Sequence, residues 1–246
     1  MSKVLATYNI KGGVGKTSAA VNLSYLAARE GLRTLLWDLD PQGGSTYLLR
    51  IKPKVHGGGR KLLGRKSDVE SLIKGTDHLG LDLLPADFSY RHMDLALDSF
   101  KRPTRRLARI LEPLRDEYDY IFLDCPPSIS LVSESVFEAA DALLVPVIPA
   151  TLSARTLRAL EQLVDSETQV FAFFSMVDRR KRLHREVMEQ LTSDGKVVLD
   201  VAIPSSAVIE RMGVERDVVA SFAPRSAAAI AYQELWGEVR RRLGDR

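Results

Sequence analysis

A glycine-rich segment near the start of the chain, YNIKGGVGKTSAA, carries two lysines, Lys11 and Lys16. Glycines allow backbone N–H groups to approach phosphate oxygens closely, and a lysine beside them supplies positive charge. An apolar run precedes this segment and an alanine- and leucine-rich run follows it. The pattern therefore predicts a phosphate-binding loop between a strand and the N-terminus of a helix. One lysine is enough to hold a phosphate, so the second needs its own explanation.

The end of the segment follows the phosphate-loop pattern G-x-x-x-x-G-K-[ST] at Gly15, Lys16 and Thr17. In that pattern the lysine reaches the β- and γ-phosphates and the hydroxyl binds Mg²⁺. Ile10 stands where the first glycine belongs, so the strict form of the pattern fails. The chain has K-G-G-V-G-K-T instead, beginning at Lys11.

Three aspartates close two other apolar runs. Asp38 and Asp40 end RTLLWDLD, and Asp124 ends YDYIFLD. Carboxylates of this kind can orient an attacking water and hold Mg²⁺ during phosphoryl transfer. Each aspartate alone is compatible with ordinary capping of a strand end. Their combination with the glycine loop favours a catalytic role.

Strand-like and helical patterns alternate along the chain. The apolar runs typical of buried strands are KVLATYNI, RTLLWDLD, LDLLPAD, YDYIFLDCPPS, ALLVPVIPA, QVFAFFSMV and KVVLDVAIP. Helical patterns follow Lys16, lie near Val132–Ala140 and Arg155–Val164, break near Pro113 and begin again after Pro224. This alternation predicts an α/β fold with a mostly parallel central sheet and helices on both faces. Ligands bind beyond the carboxyl ends of such strands, where the glycine loop and the aspartates lie.

Composition excludes several classes of protein. The chain has 246 residues, a net charge of +3 and a single cysteine, Cys125. One cysteine allows neither an internal disulfide nor a cysteine-ligated cluster within the chain. No apolar run reaches the roughly 18 residues that a membrane span needs, and no signal peptide is recognisable. We expect a cytoplasmic protein with one domain over residues 1–246.

The sequence resembles the ParA/MinD family of P-loop ATPases. The family's deviant Walker A loop reads K-G-G-x-G-K-[ST], and its next motif is D-x-D-P-Q-G-N, close to DLDPQGG at Asp38–Gly44. Its second acidic strand commonly ends in D-x-P-P, as at Asp124–Pro127. Gly44 replaces the usual Asn, and the SEAPSHG run of many members is absent after Pro204. The resemblance covers nearly the whole chain but leaves the subfamily open.

The resemblance implies ATP and Mg²⁺ as ligands and assigns roles to the residues. Lys16 would hold its own nucleotide, while Lys11 would cross to the nucleotide of a partner subunit in a sandwich homodimer. Asp40 would position the attacking water, with Asp38 near the same centre. The Mg²⁺ ligands would be Thr17, Asp40 and Asp124. Nucleotide-binding residues would be Lys11, Gly12, Gly13, Val14, Gly15, Lys16, Thr17 and Ser18, with Asp178 and Pro204 as candidates at the adenine.

Two basic segments are candidates for binding a polyanion. Residues 179–185 contain five cationic side chains and no acid, and Arg182 and Arg185 share a face if a helix begins there. The candidate DNA-binding residues are Arg179, Arg180, Lys181, Arg182, Arg185 and Arg211, with Arg216 as a further candidate. The second segment, residues 50–66, has seven Lys and Arg and no acid. Its glycines and Pro53 disfavour regular structure, which predicts a flexible solvated loop or an arm that contacts nucleic acid or a partner.

Three functions are compatible with the resemblance. The first is a ParA-type ATPase that partitions DNA or positions cargo: its ATP dimer binds DNA without sequence preference at the nucleoid. A ParB-like or cargo-adaptor protein would then stimulate ATP hydrolysis, and hydrolysis would release the dimer from the DNA. The second is a MinD-like ATPase that cycles on a membrane through an apolar face of the last helix, at Leu235, Trp236, Val239 and Leu243, although packing of this face on the sheet is favoured. The third is an ATP-dependent biosynthetic enzyme. Cargo and partner stay open.

Overall fold

The computed structural model describes residues 2–64, 69–164, 168–194 and 197–244. Within them a single eight-stranded sheet forms, in the spatial order β3-β4-β2-β5-β1-β6-β7-β8. The strands are β1 (Lys3–Thr7), β2 (Thr34–Asp38), β3 (Lys74–Gly75), β4 (Leu81–Leu84), β5 (Tyr120–Asp124), β6 (Ala142–Val147), β7 (Gln169–Val177) and β8 (Val198–Pro204). Only β3 runs antiparallel to its neighbour among the described pairs. The predicted mostly parallel α/β sheet is confirmed.

Helices cover both faces of this sheet. They are α1 (Lys16–Arg29), α2 (Gly44–Leu48), α3 (Gly58–Gly64), α4 (Met93–Asp98), α5 (Arg106–Leu111), α6 (Leu131–Ala139), α7 (Ser153–Leu163), α8 (Arg182–Asp194), α9 (Ala207–Glu210), α10 (Met212–Glu215), α11 (Val219–Phe222) and α12 (Ala227–Arg242). Short 3₁₀ turns lie at Glu70–Leu72, Phe88–His92 and Pro113–Asp116. The helix break predicted near Pro113 is confirmed, because α5 ends just before that proline, whose ring cannot continue an α-helix.

Alternate side chains of the central strands enter two separate cores. In β1, Val4 and Ala6 pack on one side of the sheet, while Leu5 packs on the other. In β2, Trp37 packs on the first side and Leu36 on the second. All five of these side chains are fully buried. Burial on both faces explains why these strands read as continuous apolar runs in the sequence.

The register of the three central strands brings distant residues to one edge. β5 lies between β1 and β2, and Asp124 is paired with Thr7 on one side and with Asp38 on the other. Because all three strands are parallel, their carboxyl ends share this edge with the glycine loop that follows β1. The sheet order therefore assembles the acidic and glycine-rich motifs at one place.

The apolar face of the last helix lies inside the protein. Leu235, Trp236 and Val239 of α12 are 0–1 % exposed and belong to the core beneath β5 and α1. The Trp236 ring meets the Tyr120 ring edge-on at 5.0 Å. The structure thus shows the favoured arrangement, in which this helix packs on its own sheet. No helix in the described part of the chain is long and apolar enough to cross a bilayer.

The prediction that glycines and Pro53 keep residues 50–66 irregular is wrong for part of this segment. Helix α3 begins at Gly58, and its Leu62 and Leu63 are almost fully buried in the core. A side chain at Gly59 would lie 3.0 Å from the Tyr90 ring, so glycine permits the close approach. Burial of the two leucines outweighs the poor helix propensity of the glycines. Arg65 and Lys66 lie outside the described residues.

Candidate functional site

The glycine loop between β1 and α1 needs glycine for its shape. Gly13 and Gly15 have φ of +69° and +97°, in the left-handed region that other residues avoid. A Cβ at Gly15 would also lie 2.9 Å from the Ser175 hydroxyl of β7. The loop leads directly into α1, whose N-terminal N–H groups favour an anion. This is a backbone cradle suited to phosphate oxygens.

Asn9 fixes the start of this loop and was missed by the sequence reasoning. Its side-chain amide donates to the Pro146 carbonyl at 2.9 Å, and its carbonyl oxygen accepts from the Lys11 N–H at 2.9 Å. The loop is thereby tied to the end of β6. An amide side chain at the end of an apolar strand, just before the glycines, was the available signal.

The loop after β5 packs on the glycine loop from the other side. The Tyr8 hydroxyl donates to the Ser128 carbonyl at 2.8 Å. A Cβ at Gly12 would lie 3.8 Å from Pro127, which is ordinary contact distance. The two loops therefore form one unit around the site.

The two lysines have opposite environments. Lys16 is 7 % exposed, and its ammonium donates to the Lys11 carbonyl at 3.2 Å. Burial lowers the pKa of Lys16, while the charges of Asp124 and Asp40 act in the opposite direction. The side chain of Lys11 is exposed. One cation is thus fixed inside the loop and the other faces outward.

Two fully buried carboxylates lie at the ends of adjacent strands. Asp38 accepts hydrogen bonds from the Thr46 N–H at 2.8 Å and the Thr46 hydroxyl at 2.7 Å, and Asp124 accepts from the Ser45 hydroxyl at 2.8 Å. Burial raises the pKa of both groups, and for Asp38 the charge of Asp124 adds to it. Such a pair favours a nearby cation. Ser45 and Thr46 follow DLDPQGG directly, and sequence reasoning gave them no role.

Asp40 stands beside this pair but is partly open to solvent. Its N–H donates to Asp38 Oδ1 at 3.2 Å, and its own Oδ1 accepts from the Gln42 N–H at 2.9 Å. Within the described part of the chain, its Oδ2 has no donor. The geometry leaves one carboxylate oxygen available to a water or ligand.

Thr17 lies between the loop and the acidic pair. A hydrogen bond from its hydroxyl helps to lower the pKa of Asp124 against the effect of burial. A Cβ at Gly44 would lie 2.9 Å from Thr17 Cγ2, so glycine at this position gives the Thr17 side chain room. The departure from the family motif at Gly44 therefore fits the local packing.

No group of three His, Cys, Asp or Glu side chains in the described ranges forms a ready metal cage. Mg²⁺ rarely uses one, since it keeps several waters and binds through one or two carboxylates and substrate phosphates. A hydroxyl at Thr17 beside the Asp124 carboxylate, with Asp40 nearby, fits that preference.

Comparisons with known proteins show which family this chain is similar to. A family model described as "AAA domain" matches residues 2–203. The sporulation initiation inhibitor protein Soj of Bacillus subtilis is 31 % identical over 97 % of this chain and 98 % of its own length. The chromosome partitioning protein ParA of Caulobacter vibrioides is 31 % identical over 99 % of this chain and 96 % of its own. The chain belongs to the ParA/MinD family.

A solved structure is also similar to this member of the ParA/MinD family. It is described as cobyrinic acid a,c-diamide synthase from Mycobacterium smegmatis with bound ADP and magnesium. It is 27 % identical, has a TM-score of 0.82, and the match covers 99 % of this chain and 96 % of that one. The fold is thus that of the P-loop ATPases in this family.

The two adenine candidates of the ParA/MinD resemblance line one cavity. This cavity, of about 360 Å³, lies at the ends of β7 and β8, and both Asp178 and Pro204 face it. Arg180 donates to both Asp178 oxygens, at 2.9 and 3.0 Å, and holds the pKa of that carboxyl at about 2. The Asp178 carboxylate is therefore engaged by its neighbour, and its role at adenine stays a prediction.

The candidate DNA-binding residues lie at the start of α8 and near α10. Arg179, Arg180, Lys181, Arg182 and Arg185 are all exposed. Arg182 pairs with Glu186 at 2.6 Å, and Arg211 pairs with Glu215. Arg216 stacks on the Tyr47 ring at 4.6 Å. These pairings reduce the free charge, and the DNA role of the residues stays a prediction.

Proposed function

We propose that the protein is a ParA-type ATPase, a single domain over residues 1–246, that positions DNA or another cargo at the nucleoid in the cytoplasm. The observation that carries this proposal is the contrast between a buried Lys16 beside Asp124 and Asp40 and an exposed Lys11 on the same loop. The kinship with Soj and ParA supports the same branch. Measuring Mg²⁺-dependent ATP turnover, and its stimulation by DNA and a ParB-like partner, tests it.

In this proposal the chain's own groups divide the work of ATP hydrolysis. Gly12–Gly15 and the N-terminus of α1 bind the phosphates through backbone N–H groups, and Lys16 neutralises their charge. Thr17, Asp40 and Asp124 would hold Mg²⁺, which neutralises charge that develops on the phosphate oxygens. The free Oδ2 of Asp40 orients the attacking water.

The ATP dimer depends in this proposal on Lys11. Replacing Lys11 with alanine should leave ATP affinity within a few-fold, because its backbone N–H and carbonyl keep their bonds to Asn9 and Lys16. The ATP-dependent dimer should be lost, and hydrolysis should fall by roughly 10³-fold, as on loss of an arginine finger. Light scattering after gel filtration with ATP measures the dimer. Lys101→Ala, on an exposed surface, is the control. A Lys11→Ala protein that still dimerises with ATP contradicts the trans role.

The ATP dimer is proposed to bind DNA through residues 179–185. Reversing the charge of Arg182 and Arg185 should weaken DNA binding equally for unrelated sequences, since phosphate contacts carry no base information. The slope of log affinity against log salt should become less steep by about 0.9 for each phosphate that the variant no longer neutralises. ATP binding should not change. Fluorescence anisotropy with two unrelated duplexes over a salt series measures both effects.

The matched control for this experiment reverses two exposed arginines elsewhere, Arg102→Glu and Arg109→Glu. It changes the net charge equally and should keep the wild-type salt slope. If the Arg182/Arg185 variant keeps both affinity and slope, residues 179–185 are a solvated face. DNA binding would then lie elsewhere or be absent.

A biosynthetic enzyme is the second candidate, favoured by the likeness to the structure described as a cobyrinic acid diamide synthase. The two candidates differ in what ATP turnover needs. A positioning ATPase is stimulated by DNA and partner, whereas a diamide synthase turns over ATP with an amide donor and a corrinoid acid. Stimulation by the second pair alone would replace the proposal. For the membrane-cycling alternative, sedimentation with ATP and anionic liposomes is the direct test.

A further inference from the structure

A second concave surface lies at the outer edge of the sheet, beside β3. It encloses about 530 Å³ between residues 50–56, which follow α2, and residues 71–75, which end in β3. We call it the lysine groove and define it by the exposed Lys52, Lys54 and Lys74 and the apolar Ile51 and Leu72. The proposed ATPase cycle gives it no task.

The lysine groove carries positive charge that no ion pair among the described residues neutralises. In the described ranges, none of the three lysines has a carboxylate within 4.0 Å, and no acidic residue lines the cavity. His56 also lines the groove, while Arg50 at the margin is paired with Asp77 at 3.5 Å. The charge of Lys54 helps to lower the pKa of Asp87, but the Asp87 carboxylate is already engaged by the Val55 N–H.

The backbone that presents Lys52 and Lys54 is held at both ends. The Ile51 N–H donates to the Thr46 carbonyl at 3.0 Å. Four residues later the Val55 N–H donates to the Asp87 carboxylate at 2.9 Å, and the Val55 side chain is 3 % exposed. Between them the Lys54 N–H closes a tight turn on the Lys52 carbonyl at 2.9 Å. A held backbone reduces the entropy lost on binding, which favours a preformed site.

The floor of the lysine groove is apolar. Leu72 is 6 % exposed, and Ile51 is partly buried against the core beneath α1. The opposite wall ends in β3, the last strand of the sheet at this side. Cations around an apolar floor, next to a sheet edge, suit an extended peptide whose acids and apolar side chains alternate.

We propose that the lysine groove binds an acidic segment of a partner protein that also carries an apolar anchor residue. Duplex DNA is a weaker fit, because its phosphates gain nothing from an apolar floor. Single-stranded nucleic acid prefers aromatic platforms, and no Phe, Tyr or Trp is among the described lining residues. The inference does not depend on the ATPase proposal.

The test uses the full-length protein and a short fluorescein-labelled peptide in which leucines are flanked by glutamates. The wild-type chain should bind this peptide in an anisotropy titration. Reversing Lys52, Lys54 and Lys74 to Glu should weaken binding by about tenfold or more, because three attractions become repulsions. Replacing the peptide leucines with serine should also weaken binding, since the apolar floor is then left uncovered.

The control reverses three exposed cations elsewhere: Lys101→Glu, Arg102→Glu and Arg109→Glu. It should bind the peptide like the wild type. A Lys→Gln version of the groove variant, checked by thermal melting, replaces the Glu version if that fails to fold. The proposal is overturned if the wild type ignores the peptide or if the control loses as much affinity. It is also overturned if the serine peptide binds as tightly as the leucine peptide. The same holds if duplex DNA displaces the peptide and the groove variant loses as much affinity for DNA as for the peptide.

Discussion

Replacing Lys16 with alanine is expected to weaken ATP binding by about 100-fold or more. Hydrogen bonds from a charged donor contribute roughly 1.5–3 kcal/mol each, and in the proposed site this ammonium would reach two phosphates. The loss of affinity should be large because Lys16 is buried beside Asp124 and Asp40, where little water can enter to stabilise the phosphates in its place. Isothermal titration calorimetry with a slowly hydrolysed ATP analogue measures the affinity.

The control for this variant is Lys101→Ala, which removes an exposed lysine far along the chain. It should bind ATP like the wild type. Thermal melting of Lys16→Ala without nucleotide separates lost binding from lost folding. Normal affinity in a folded Lys16→Ala protein would contradict the assignment of the phosphate loop.

Replacing Asp40 with asparagine should reduce ATP hydrolysis by about 100-fold or more while ATP binding persists. An asparagine keeps an acceptor for the Gln42 N–H, so the loop retains its 2.9 Å hydrogen bond. The change removes the negative charge that would orient and polarise the attacking water. The variant should therefore accumulate as an ATP-bound dimer on gel filtration.

Single-turnover phosphate release measures the rate of this variant directly. Asp98→Asn, which changes an exposed aspartate on α4, is the control and should hydrolyse ATP at the wild-type rate. If Asp40→Asn also does so, Asp40 is not the water-orienting group. Attention would then move to Asp38, which stands beside it.

The sequence predicted the sheet, and the position of the glycine loop between β1 and α1, because both depend on local patterns. Strands buried on both faces are continuous apolar runs, and a phosphate loop needs glycine and lysine at fixed spacing. β3 was missed because Lys74–Gly75 is too short to carry a pattern. Helix α3 was missed because its glycines contradict propensity, and only tertiary burial of Leu62 and Leu63 makes it stable.

The supporting side chains of the site could not be predicted in the same way. Ser45 and Thr46 gain their roles from hydrogen bonds to aspartates on strands separated from each other along the chain. Nothing in their own neighbourhood specifies which strand end they meet. Asn9 is similar, since its partner carbonyl at Pro146 is 137 residues away. The ion pair between Asp178 and Arg180 is different, because the two residues are only two positions apart and the sequence itself indicates the contact.

The order of strands in the sheet also determines when β1 can pair with its neighbours during synthesis of the chain. β1 is made first, yet both of its neighbours in the sheet, β5 and β6, begin only at Tyr120 and Ala142. At about 5–20 residues per second, translation leaves β1 without a hydrogen-bonding partner for roughly 6–25 s. A ribosome-bound chain that stops before residue 120 therefore exposes an apolar strand with two open edges, which is a template for aggregation. Chaperone capture should be strongest on nascent chains of this length.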